Sequence, residues 1–150
     1  MRVSTNITLI IPTYNRPDLL KRAISYWSAY GHQLIIVDGS DVPNEECTKY
    51  DTEDGITYFH MPVSIEQRIL FAASQVATDY VAMIPDDEFY LPSALEEARD
   101  ILDSMPDVSF VAGATIAFKT IDGRLFSRHH YRTAMKLQID SNSPLERVKQ

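Results

Sequence analysis

Aliphatic and β-branched residues gather in short runs, and the segments between the runs repeat apolar side chains every three to four positions. "NITLIIPT" is the first run and predicts a strand. "RPDLLKRAISYWSAY" follows, with Leu19, Leu20, Ala23, Ile24 and Trp27 at helical spacing and Pro17 suited to a first turn. Gly31 ends that helix, and "HQLIIVD" is the second strand. A polar loop from Gly39 to Gly55 leads to a short third strand, "ITYFHM". "SIEQRILFAASQVA" predicts a second helix, with Ser64 and Gln67 as a capping box. "DYVAMIP" is a fourth strand, and "PSALEEARDILDSM" a third helix with Pro92 near its first position. "DVSFVAGATIAFK" reads as a long fifth strand, and "TIDGRLFSRHHY" as its hairpin return across Asp122-Gly123. Residues 133–150 carry weak helical character.

Strands alternating with helices predict an α/β fold. It is a mainly parallel, Rossmann-like open sheet with helices on both faces and a C-terminal β-hairpin. In such sheets ligands collect outside the carboxyl ends of the strands. Strand one ends in Pro12-Thr13-Tyr14-Asn15, strand two in Asp38, and strand four in Asp86-Asp87-Glu88. Parallel strands bring all three groups to one rim.

Composition narrows the field. At 150 residues and 45% hydrophobic, the chain suits one soluble globular domain. No apolar run reaches the roughly 18 residues that span a bilayer. The run near the start is too short for a signal peptide, so the expected compartment is the cytoplasm, with peripheral attachment at a membrane left open. The net charge of −7 argues against nucleic acid as a partner, though not against a single nucleotide. Cys47 is the one cysteine, which excludes an internal disulfide and a cysteine-based zinc site.

Three consecutive carboxylates after an apolar run need an explanation, because neighbouring like charges repel. Solvent, a helix dipole or a bound cation would each serve. The helix begins near Pro92, so the acids lie on the strand-to-helix loop rather than in a first turn. A cation reading asks for Mn2+ or Mg2+, which take one or two carboxylates and leave other positions to water and phosphate.

"IPTYNRPDLLKRAI", "IIVDGSD" and "YVAMIPDDEFYLPSAL" resemble, in order and spacing, the nucleotide-binding half of family 2 glycosyltransferases with the GT-A fold. The resemblance covers about residues 6 to 119. It implies that Pro12, Thr13 and Tyr14 border the base and that Asp38 binds the uracil ring. The family's acid pair there is reduced to one acid, "VDGS". Asp86 falls on the ribose side, Asp87 on the metal bridging the diphosphate, and Glu88 where a second metal ligand stands. Arg68 holds the position of an arginine near the base; an arginine on a solvated helix face is the competing reading. Thr13 and Asn15 have a turn-shaping alternative, and Tyr14 that of a loop aromatic packed on helix one. His129 and His130, as strand neighbours, point to opposite faces and cannot readily share one ion. His32, His60 and Trp27 are read as structural.

The resemblance thus implies transfer of a sugar from a UDP-sugar donor to an acceptor hydroxyl, on a saccharide or lipid-linked saccharide, with a divalent metal. The competing class is a module that binds a nucleotide or nucleotide-sugar without turnover, or the donor-binding part of a longer enzyme. A weaker third reading is an unrelated α/β domain using Mg2+ for phosphoryl chemistry. No residue is identified as the catalytic base. The organisation expected is a nucleotide-sugar-binding domain over 1–132 and a tail over 133–150 that begins an acceptor-binding part. On that basis the 150-residue chain would bind donor and turn it over slowly. Apolar Phe118, Leu125 and Phe126 near the hairpin predict self-association.

Overall fold

The structure, a computed structural model, describes residues 6–49 and 55–129. The tail over 133–150, with His130, lies outside them. The chain divides into two compact units, Met1–Arg99 and Asp100–Gln150.

The first unit is built on β1 (Ile7–Thr13), β2 (Gln33–Asp38), β3 (Ile56–His60) and β4 (Tyr80–Met83). They form one sheet in the order β3-β2-β1-β4, with every neighbouring pair parallel. The strands form because β-branched residues dominate them and both faces of the two central strands are covered. Helix α1 (Pro17–Trp27) lays Leu20, Ala23, Ile24 and Trp27 on one face, against Leu9, Ile11, Leu34 and Ile36. Leu95 of α3 (Pro92–Ser104) joins the same cluster. On the opposite face, α2 (Ile65–Ser74) sets Ala72 against Ile10, Ile35 and Val37. Val81 and Met83 on the edge strand β4 stay exposed.

Local signals act as their chemistry dictates. Pro17 opens α1, where its missing N–H would have no helical partner. Ser64 and Gln67 make the reciprocal capping box of α2. Gly31, at φ 75, turns the chain between α1 and β2.

The second unit carries the antiparallel hairpin of β5 (Ile116–Ile121) and β6 (Arg124–His129). Asp122 and Gly123, at φ 48 and 74, form its two-residue turn. The strand expected over 107–119 is shorter than its composition suggests. Among the described residues 108–115 form no ladder, and β6 pairs with Ile116–Ile121. Alternating apolar residues become a strand only where a partner takes their backbone groups. Phe118, Leu125 and Phe126 are exposed.

Trp27 is fully buried, and His32 lies edge-on to it at 5.6 Å between centroids. Burial pushes the His32 imidazole below its usual value of 6.5. A depressed folded value means that the unfolded chain takes up the proton first. Stability from neutral His32 is therefore complete above pH 6.5 and is lost as pH falls through the folded value. Urea unfolding between pH 7.5 and 5.5 should show a falling midpoint. His32→Phe should flatten that fall whatever its own midpoint; an unchanged slope would place the effect elsewhere.

Candidate functional site

The strand order makes β1 the switch point, because β2 and β3 lie to one side of it and β4 to the other. Crevices at such points, beyond the carboxyl ends, are where open α/β sheets bind ligands. Thr13 ends β1 directly beside Asp38, the last residue of β2. Asp86 follows β4, and its Oδ2 accepts a 2.6 Å hydrogen bond from Thr13 Oγ1. The strand ends are thus tied together by side chains as well as by the sheet.

Asp38 is 2% exposed, and its carboxylate serves three donors. Oδ1 accepts from the Ser40 backbone N–H at 2.8 Å and from the Ser40 hydroxyl. Oδ2 accepts from the Tyr58 hydroxyl at 2.6 Å. A carboxylate offers about four acceptor positions, so one remains for a ligand. The Asn44 backbone N–H in turn donates to the Tyr58 hydroxyl at 2.9 Å. Burial first, then the hydrogen bond with Asp38, raises the Tyr58 phenol above its usual range and keeps it a donor. His60 Nε2 meets the Ser40 carbonyl at 2.8 Å, which holds the same loop from the β3 side.

Arg68 is not on a solvated helix face. It is 6% exposed, and its Nη1 donates to the carbonyls of Thr13 at 2.7 Å and Val37 at 3.1 Å. Its Nε has no hydrogen-bond partner. An amphipathic helix can bury an arginine only where acceptors converge, and the ends of two parallel strands supply them. Gly39 makes the space, since a Cβ there would come within 2.5 Å of Arg68 Cζ.

Asn15, at φ 52, makes the sharp turn from β1 into α1, a conformation that asparagine tolerates. Its backbone N–H donates to Ser40 Oγ at 2.7 Å. The turn aims Arg16 at the acids. Arg16 Nη1 reaches Asp86 Oδ1 and Asp87 Oδ2, each at 3.0 Å. Asp86 is 2% exposed, whereas Asp87 and Glu88 face solvent. The acid loop is seated by Phe89, which stacks edge-on to Tyr26 at 4.9 Å and lies under the Arg22 guanidinium.

Beside these residues is a cleft of about 480 Å3 lined by Thr13, Asn15, Arg16, Asp38, Ser40 and Asn44, among others. That volume is in the usual range of small-molecule sites. The structure therefore brings Thr13, Asp38, Arg68 and Asp86 into one bonded network, with Asp87 joined through Arg16. Pro12 is half-buried on β1, and Tyr14 projects into solvent at 53% exposure. Arg16, Ser40 and Tyr58 complete the network and were not singled out from the sequence. For Arg16 a signal existed: two adjacent acids at a rim call for a cation, and "NRP" supplies one at the neighbouring strand end. Cys47 is buried, and burial followed by the Asp38 charge pushes its thiol up to about 11. That removes it from nucleophilic chemistry.

Sheet order, helices on both faces and acids at the strand ends define a Rossmann-like α/β domain of the GT-A kind. Residues 8–147 match glycosyl transferase family 2, and the chain belongs to that family. Its class is therefore glycosyltransferase, working between a nucleotide-sugar donor and an acceptor. No curated protein matches the chain.

Proposed function

We propose that this glycosyltransferase uses a UDP-sugar with Mn2+ or Mg2+, and transfers the sugar to a hydroxyl of a saccharide or lipid-linked saccharide. The observation that carries the reading is the tie of Asp86 to Thr13 and of Asp86 and Asp87 to Arg16, beside a cleft that Thr13, Arg16 and Asp38 line. The guanidinium marks where the carboxylates of this loop gather negative charge, and hard carboxylate oxygens suit Mn2+ or Mg2+. Among the described residues no group of three or more His, Cys, Asp or Glu side chains could hold a metal ion. An ion with few protein ligands fits this family of reactions, because Mg2+ keeps positions for water and substrate phosphate.

Asp87 and Glu88 would hold the ion. When bound, it would neutralise charge on the departing diphosphate. The chain's own residues do the rest. Pro12, Thr13 and Tyr14 border the base, and Asp38 offers its remaining acceptor position to the uracil N–H. Asp86, fixed by Thr13 and Arg16, presents its edge to the ribose. Arg68 holds the ends of β1 and β2 in place behind the base. No helix of the described residues is long and apolar enough to cross a membrane. A cytoplasmic location is part of the same proposal.

Calorimetric titration in Mn2+ with UDP, CDP, ADP and GDP tests the donor. UDP should bind about tenfold or more tighter than ADP and GDP, since adenine has no ring N–H to donate and the larger guanine cannot set its own at the same acceptor. Equal affinity for UDP and a purine nucleotide would overturn the base assignment.

A further inference from the structure

Arg16 stands at the N-cap of α1 but makes no side-chain capping bond there. Its Nη1 instead bridges Asp86 Oδ1 and Asp87 Oδ2 at 3.0 Å each. The Asp86 side chain is 3% exposed and that of Asp87 51%, while Arg16 is itself half exposed and lines the cleft. A buried carboxylate requires a partner charge, and a second carboxylate beside it increases the need. Arg16 meets that need without any added ion.

A divalent ion at this loop would be held through the Asp87 carboxylate. Asp87 Oδ2 already holds Nη1. Guanidinium and metal therefore compete for the negative charge of one carboxylate. If the ion wins, it lies near a positive side chain, and the two repel. An anionic diphosphate in the cleft that Arg16 lines would offset the repulsion.

We propose that Arg16 is the resident counter-ion of the Asp86–Asp87 pair, which suppresses metal binding by the free protein and makes it depend on a diphosphate in the cleft. The inference rests on the metal reading given under Proposed function. It makes Arg16 a positioning residue that selects the metal–diphosphate pair over the bare ion. By linkage, the factor by which diphosphate strengthens metal binding equals the factor by which metal strengthens diphosphate binding.

Mn2+ titration of the full chain, followed by the paramagnetic resonance signal of the free ion, tests the proposal with and without saturating UDP. Wild type, Arg16→Gln and Asp87→Asn are compared. Without UDP, Arg16→Gln should bind Mn2+ about tenfold or more tighter than wild type, and UDP should then strengthen it correspondingly less. Equal or weaker binding by Arg16→Gln, beside an Asp87-dependent wild-type complex, overturns the role of Arg16 alone. A wild type that binds no Mn2+ even with UDP, or binds it equally well after Asp87→Asn, removes the metal reading and the inference together. If Arg16→Gln does not fold, the wild type still decides. The Arg16 Nε–H resonance should shift when Mg2+ and UDP are added together, and an unmoved resonance overturns the proposal.

Discussion

Asp38→Ala is expected to lower the unfolding free energy by about 2–4 kcal/mol, while Asp38→Asn loses less than half as much. Alanine leaves the Ser40 N–H, the Ser40 hydroxyl and the Tyr58 hydroxyl without their acceptor, in a place only 2% open to water. Each unmet buried donor costs about 1–3 kcal/mol, offset in part because a buried charge has also been removed. Asparagine keeps an acceptor for Ser40 and can donate to the Tyr58 oxygen. Binding should separate the two variants as well. The loop from Ser40 to Asn44 forms a wall of the cleft, so alanine should weaken UDP and ADP alike. Asparagine keeps the wall and loses the charged acceptor, so it should weaken UDP selectively. Urea unfolding and calorimetry read both effects. An Ala variant with an unchanged midpoint would show that Asp38 does not hold the loop.

Most of the first unit was legible because its elements are set by local chemistry. β1 and β2 are near-continuous β-branched runs, as central parallel strands buried on both faces must be. Pro17, the Ser64–Gln67 box and Asp122-Gly123 each act within a few residues of sequence, so their effect could be read without the fold. β5 was less legible, because its length depends on what pairs with it. "DVSFVAGA" has strand composition, yet among the described residues the ladder is confined to the stretch opposite β6.

The site shows the same division. Acids at strand ends follow from strand direction, and that is why Asp38, Asp86 and Asp87 could be placed on one rim. Their partners could not. Thr13 to Asp86 spans 73 positions, and Arg68 to Thr13 spans 55, so neither contact leaves a pattern in sequence. The burial of Arg68 also depends on Gly39, whose missing Cβ leaves room for the guanidinium. "VDGS" showed that one acid was absent. Only the packing shows that the glycine beside Asp38 is occupied space for an arginine.

Removal of divalent ions is expected to weaken UDP binding by about 100-fold or more, close to 2.7 kcal/mol. A diphosphate brought to Asp86, Asp87 and Glu88 in a chain of net charge −7 meets repulsion that Arg16 alone offsets incompletely. In Mn2+, Asp87→Asn should lose most of that factor, because Asp87 is exposed to an incoming ion and already holds a cation, Arg16. Glu88→Gln should lose less, since Glu88 is exposed and its backbone N–H bond to the Pro85 carbonyl remains. The sign should invert in excess chelator. With no ion to hold, Asp87→Asn only removes a negative charge beside Arg16, so UDP should bind as well as or better than to wild type. Calorimetry with Mn2+ and then with chelator gives all six values. Wild-type affinity that chelator leaves unchanged would sink the metal role. Glu88→Gln costing more than Asp87→Asn would move the principal ligand one residue along the loop.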